Sequence, residues 1–439
     1  MSGRKVYSWI LVTAGLFAGI ISYAQGGTYN DYTPYSVYGV GNLHTLGSAQ
    51  NMGMGGVGIA TRNKRFVNYI NPASVTARDS LSFMADFGMS GRASIYGQDD
   101  IISANNLFNI NNFVLSFPIY RSSAMLFGIT PFSNTGYDFT YVEQNKDLIG
   151  ITGPQAYTAT GSGSIYQFFA GAAVTFWKRL SLGAEYILYF GDIEKNVTLN
   201  FTNSSFRSIQ SGHSLQLRGS TAKFGLQYEQ PFGGSTVMTA GATYRLKAGM
   251  RGNTTDYSYA TLSSLTDTLR HKETVLDGQG SLTFGDELGV GLSLRGGDRW
   301  MAEFDYTRTG WTGSGLDGTN GFSNFSAYRF SAAEGQAFRA GFEFTPNRND
   351  IRYFLRRCTY RGGVYYDQSY YRLDGKTVDS YGITLGMTVP VFRGYNGVTV
   401  AVDLGRRGTL QSGMIRENYL GFHVGFNIFD IWFQKPRYE

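Results

Sequence analysis

The stretch RGGDRWMAEFDYTRTGW, Arg295 to Trp311, decides the fold. After a Gly-Gly-Asp turn its apolar and polar residues alternate one for one. Trp300, Ala302, Phe304 and Tyr306 stand against Met301, Glu303, Asp305 and Thr307. A period of two places each set on its own face of a β-sheet. The same alternation returns at Leu81 to Met89, Val398 to Leu404 and Phe422 to Ile428. A soluble sandwich would alternate as well, so the lengths of the connections decide. Strands are expected near 81–92, 110–119, 123–139, 159–177, 180–194, 212–229, 236–249, 279–295, 299–311, 335–346, 351–367, 377–390, 397–408 and 416–429. Trp177–Arg179, Arg295–Arg299 and Pro346–Asp350 read as tight turns, whereas Arg251–Gly278 and Trp311–Glu334 read as long polar excursions.

Short turns at one rim and long loops at the other form the pattern of an outer-membrane barrel. The expected fold is therefore all-β: a transmembrane antiparallel β-barrel of about fourteen strands, an even number that returns both ends to the periplasmic side. Closure is required, because an open sheet edge in lipid leaves N–H and C=O groups unpaired. After the N-terminus no apolar run reaches the roughly 18 residues of a helical span. Composition agrees, with Gly 58, Tyr 31, Phe 32 and charged residues at 16%; this is a strand-former's composition. Phe176, Trp177, Tyr306, Trp311, Phe342 and Phe344 suit interface girdles. Gly171, Ala173, Gly183, Gly289, Gly291 and Gly425 are small enough to leave an open lumen or admit a plug.

Residues 1–24 read as a signal peptide: Arg4 and Lys5, the apolar run Trp9–Ile21, and a small-residue cleavage site ending at Ala24. Residues 25–80 are rich in Gly, Asn and Tyr and lack alternation. So long an irregular segment is expected inside the lumen, as an N-terminal hatch or plug. Residues 81–430 form the barrel, and 431–439 a basic periplasmic tail. Without Arg4 and Lys5 the formal charge falls from +6 to about +4, too small and diffuse to indicate nucleic acid. Cys358 is the one cysteine, so no intramolecular disulfide forms, and an inert packed thiol is the expectation.

Within the hatch, Gly53-x-Gly55-x-x-Gly58 has the spacing of a dinucleotide fingerprint. Its context fails: His44 to Asn51 make a poor central strand, and Ile59 to Lys64 are too short and polar for the packing helix. The glycines instead serve close backbone approach and positive φ.

The same segment, GSAQNMGMGGVGIATRNKRFVNYINPASVTARDSLSF, resembles the N-terminal plug of the FadL/TodX family of outer-membrane transport proteins. Its Gly-rich stretch is followed by Asn71-Pro72-Ala73, the family's triplet before the first strand. Phe117–Phe139, Glu287–Trp311 and Tyr360–Val391 resemble later family hairpins in order. Pro34–Leu43 and the end, DIWFQKPRYE, are similar to Bacteroidota members and to PorV-like barrels. Gln368 stands where the family has proline, and the chain ends on Tyr438-Glu439 rather than Phe, which moves the assembly signal to Tyr419–Phe429. The resemblance implies a plugged fourteen-stranded barrel. It also implies passage of long-chain fatty acids or hydrocarbons, with release through a gap in the wall. Gly53, Gly55, Gly56, Gly58, Asn71, Pro72 and Ala73 are the hatch or ligand-contact candidates that it marks.

Enzymatic chemistry has little support. His44, His213, His271 and His423 are scattered, with no metal-ligand spacing, and no cofactor motif remains. His423, Glu303, Asp305 and Arg308 read as lumen lining, and Asp99-Asp100 and Glu143–Asp147 as solvated loop charge. Two functions stand. One is a channel for hydrophobic small molecules, with an apolar pocket between hatch and barrel. The other is a non-transporting docking subunit of type nine secretion or of outer-membrane protein assembly. Outer-membrane lipids and lipopolysaccharide are the expected surroundings, and other outer-membrane or periplasmic subunits the expected partners.

Overall fold

The computed structural model describes residues 31–431, apart from 80–81, 99–100, 121, 145, 204, 263–264, 279, 319–327, 392–394 and 411–413. The expected signal peptide 1–24, residues 25–30, the pair Asp99-Asp100 and the expected tail beyond 431 lie outside the described residues.

The hatch contributes a short strand, β1 (Asn42–Leu43). In the wall, β2 (Ser82–Gln98), β3 (Ile101–Tyr120) and β4 (Ser123–Asn134) lead on, and β5 (Tyr137–Val142) continues β4 after a break. The tallest strands are β6 (Gln155–Phe176), β7 (Leu180–Phe201) and β8 (Ser208–Phe232). Next, β9 (Thr236–Arg245) is prolonged by β10 (Ala248–Leu262), which turns back as β11 (Leu265–Asp277). The descent resumes through β12 (Thr283–Phe284) into β13 (Asp286–Gly296). The rest are β14 (Trp300–Gly310), β15 (Phe330–Ala332), β16 (Glu334–Phe344), β17 (Thr359–Leu373), β18 (Lys376–Pro390), β19 (Gly397–Arg407) and β20 (Arg416–Ile431). These pieces make a closed antiparallel barrel of 14 strands. The closing ladder joins β2 to β20, from Ser82 opposite Ile431 to Gly97 opposite Arg416. Closure leaves no lipid-facing edge there, and with the outward apolar belt it places the protein in the outer membrane.

The two faces follow the alternation. On β14, Met301, Glu303 and Asp305 are buried inside, while Phe304 is 52% exposed on the outside. Leu188, Leu292, Ile383, Val400 and Leu420 join Phe304 in the outward belt, where lipid rather than protein covers them. At the turn rim Phe176, Trp177, Phe232 and Phe344 are exposed, as an interface girdle requires. The β6–β7 turn has positive φ at both Trp177 (48°) and Lys178 (59°). Paired left-handed residues match a two-residue hairpin turn to the twist of its strands.

Four expectations need correction. Arg251–Gly278 is not an irregular excursion but the β10–β11 hairpin, so the strand expected at 279–295 begins only at Asp286. Pro346–Asp350 is not a tight turn: residues 345–358 separate β16 from β17 and include the helix Phe354–Arg357. Trp311 belongs to no girdle. It follows the last residue of β14, turns inward and is fully buried against Phe284 and Tyr370. Arg308 does not line the lumen, because its even position faces away from Glu303 and Asp305. It pairs instead with Glu334 at the exposed rim.

Candidate functional site

Residues 31–79 pack inside the wall as a mostly irregular chain, and Gly41, Gly53 and Gly55 lie against barrel backbone. Ser48 opens a one-turn helix, Ala49–Met52, with a capping box: its N–H and hydroxyl both donate to Asn51 Oδ1, at 3.1 and 2.8 Å. Asn51 Nδ2 then donates to Val57 O at 2.7 Å, and its carbonyl accepts from the amides of Met54 and Gly56. This single residue, through its side chain and its backbone carbonyl, therefore shapes the loop 53–58. Gly55 and Gly56 take φ of +72° and +82°, which L side chains rarely adopt.

The loop presents its amides outward, as a phosphate cradle would, but the acceptors are the barrel's own carboxyl groups. Gly58 and Ile59 donate to Asp305 Oδ2 at 2.7 and 3.0 Å. Ala60 N–H donates to Glu303 Oε1 at 2.8 Å, and the Thr61 hydroxyl donates to the other oxygen. Gly55 N–H donates to Thr384 Oγ1 at 2.8 Å, and Arg339 reaches Gly55 O while holding Asp367 with two bonds of 2.9 Å. Successive backbone amides form an anion-binding concavity, and charge-assisted bonds are the stronger kind. Glu303 and Asp305, read from sequence as lumen lining in water, are buried anchor points for the hatch. The available signal was two carboxylates sharing the inward face of one strand.

Asn71-Pro72-Ala73 forms the second seat. Asn71 Oδ1 accepts from Ala73 N–H at 3.0 Å, while Nδ2 donates to Ile59 O at 2.8 Å and to Leu226 O of the wall at 3.2 Å. Gly183 and Gly225 lie directly behind. A Cβ on Gly183 would stand 2.5 Å from Ala73 N, and one on Gly225 would run into Asn71 and Pro72. Gly425 receives Ala49 in the same way, at 2.7 Å. The small residues of the wall thus admit the plug. Arg62 completes this seat: it pairs with Glu229 at 3.0 Å and donates to Ser181 Oγ at 2.7 Å. Burial lowers the pKa of Arg62 and the Glu229 charge works against that.

The wall itself has a seam. β3 and β4 pair only from Phe113–Ile129 to Tyr120–Ser123; among the described residues they share no ladder above that level. There β4 pairs with hatch strand β1 instead, Asn42 opposite Asn134 and Leu43 opposite Ser133. In the break between β4 and β5, Gly136 O accepts from Thr33 N–H at 3.0 Å and from Ser36 Oγ at 2.9 Å. The N-terminal part of the hatch thus fills the opening.

Beside the seam lies a cavity of about 390 Å³. Leu46, Met52 and Ile59 give it apolar lining, but Arg92, Arg245, Arg339, Asp367 and Arg407 line it as well. His44 and His423, far apart in sequence, meet on its wall. Burial and the nearby Arg92 push the His44 imidazole down to about 4, so it is neutral at pH 7. The expected apolar pocket is therefore a mixed one, touched by Gly55 and Gly56. Among the described residues no group of three or more His, Cys, Asp or Glu is placed to hold a metal. Cys358 is buried at the base of β17 with its thiol on Phe354 O. Phe132 and Tyr370, which also line the cavity, join Phe284 and Trp311 in an aromatic cluster with centroids 4.8–5.5 Å apart.

The BamG family model matches residues 6–439. No curated protein matches the sequence. Among solved structures, the toluene transporter TbuX of Ralstonia pickettii is similar at 15% identity and TM-score 0.59, over 87% of this chain and 98% of that one. The toluene transporter TodX of Pseudomonas putida is similar at 12% identity and TM-score 0.57, over 89% and 100%. A FadL homologue of Pseudomonas aeruginosa is similar at 11% identity and TM-score 0.55, again over 89% and 100%. At these identities the likeness is one of fold.

Proposed function

The chain belongs to the BamG family, and from that membership and the geometry above we propose that it is a plugged barrel serving as a docking subunit of an outer-membrane protein-assembly complex. The observation that carries this reading is the β10–β11 hairpin. β10 pairs with the upper half of β8, and β11 pairs with β10, from Arg251–Asp277 to Leu262–Leu265. Among the described residues no strand pairs with the other edge of β11, and apart from Leu276 the strand is exposed along its length. A tall bare edge is a template for a further strand, and strand addition is a recurrent mode of recognition.

The test is hydrogen exchange on the protein purified gently from native membranes, compared with the chain alone in detergent. β11 amides are expected to be protected in the assembly and to exchange freely in the isolated barrel. Thr268→Pro with Lys272→Pro should release the partner and leave the barrel folded. Return of a single chain, with identical β11 exchange in both samples, would count decisively against docking.

A second reading, a channel for hydrophobic small molecules, is favoured by the seam and by the cavity beside it. In that reading, displacement of Thr33–Ser36 from the β4–β5 break opens a lateral exit, which suits an apolar ligand that gains nothing by entering water. If cells lacking the protein take up toluene and oleate normally, and the purified barrel carries no lipid-like density, this reading is lost.

A further inference from the structure

The loop 345–358, between β16 and β17 at the turn rim, has a composition unlike the other turns. It is folded rather than loose. Asn347 N–H donates to Arg356 O at 2.9 Å, and the Asp350 carboxylate accepts from the amides of Arg352 and Tyr353 at 2.9 and 2.7 Å. Yet its apolar side chains are bare: Ile351 is 101% exposed and Leu355 64%, with Tyr353 and Phe354 about half exposed. Their direction is set by Tyr360, which lies in the outward row of β17 opposite Phe344. The Tyr360 hydroxyl donates to Leu355 O at 3.0 Å, so the short helix Phe354–Arg357 lies over the lipid-facing flank of the wall.

Three guanidinium groups surround these side chains. Arg352 and Arg356 stand over the Tyr353 ring at 5.3 and 4.8 Å, and Arg357 over Phe354 at 5.7 Å. Asp350 pairs with Arg356 at 3.4 Å, whereas among the described residues neither Arg352 nor Arg357 has an acidic partner. The patch therefore combines an uncovered apolar tip with an excess of positive charge, at the level of the Phe176–Trp177 girdle.

We propose that this loop binds anionic phospholipid of the periplasmic leaflet. In this arrangement Ile351, Phe354 and Leu355 enter the acyl boundary, and Arg352, Arg356 and Arg357 hold the headgroup phosphate. Charge complementarity selects this occupant: planar guanidinium forks match phosphate oxygens, and aromatic side chains with basic neighbours favour the interface. A protein surface would have to cover Ile351 and Leu355 while also supplying acids for two unpaired arginines. A negatively charged bilayer surface meets both demands at once.

Native mass spectrometry of the full barrel, with phosphatidylglycerol or phosphatidylcholine added to the detergent, tests this. Arg352→Gln with Arg357→Gln leaves the Asp350 network intact and should lower phosphatidylglycerol retention by about tenfold or more, with little change for phosphatidylcholine. Ile351→Ser with Leu355→Ser should weaken both lipids. Each variant must keep the heat-modifiable gel shift of a folded barrel. Equal phosphatidylglycerol retention by the arginine variant and the parent would overturn the proposal. So would competition by free inorganic phosphate at the same concentration as the lipid, or protection of the loop by a co-purifying protein with no lipid dependence.

Discussion

Asp305→Ala is expected to loosen the hatch by about 3–6 kcal/mol, since it removes two charge-assisted bonds worth about 1.5–3 kcal/mol each. The bonds run from Gly58 and Ile59, and both amides would be left buried without an acceptor. Glu303 shares the inward face two residues away, so removing one carboxyl also relieves repulsion between the pair; the lower end of the range is expected. Limited proteolysis of the intact barrel in detergent checks this directly. Cleavage within 53–61 should appear in Asp305→Ala and be partial in Asp305→Asn, which keeps an acceptor oxygen. If the hatch stays as resistant as in the parent, the carboxylates are not its anchor.

Gly55→Val is expected to have the second large effect, because it acts twice. The position requires φ of +72°, which costs an L residue about 1–2 kcal/mol. A Cβ there would also stand 2.7 Å from Val364 O and 3.0 Å from Ala340 O, both wall backbone that cannot swing aside. Overpacking of this kind adds about 1–3 kcal/mol. Gly58→Val lacks the positive-φ cost, but its Cβ would meet Ile70 at 2.5 Å and also Asn51 Nδ2 at 2.8 Å and Asn68 Oδ1 at 3.0 Å, so it should disturb the loop through Asn51. Single-channel recording in a planar bilayer is the measurement. The parent should be closed, Gly55→Val should show openings, and Gly97→Val, whose Cβ would meet nothing, should behave as the parent. Openings of equal frequency in Gly97→Val would remove the argument.

The wall was legible because lipid imposes a strict rule on every strand. Apolar residues must alternate outward whatever the protein does, so Trp300 to Thr307 declared their faces at once. The glycine run was legible as a plug for a similar reason, since close backbone approach restricts the residue type. What stayed hidden depends on contacts between distant segments. Nothing near Asp305 announces the amides of Gly58 and Ile59, so an inward carboxylate reads as solvated until the hatch is placed. Arg308 falls on the opposite parity from Glu303 and Asp305, and Trp311 sits at a strand end, where tertiary packing sets the side chain's direction. The β10–β11 strands carry polar residues on both faces above the membrane, and no alternation marks them. The Phe354–Arg357 helix is one turn long, too short for a periodic signal.

The ladder between β2 and β20 has a consequence for how the molecule comes into being. Those strands are the first and last of the wall, so their pairing is the event that turns a curled sheet into a cylinder. Before it, the hatch can reach Asp305, Glu303, Glu229 and Thr384 from the side; afterwards it would have to thread in from an end. A cylinder sealed empty would strand those groups in the lumen without their backbone donors. The N-terminal segment is made first, and its partners on β14 and β18 come only later in the chain, so the hatch cannot dock until most of the wall has been made.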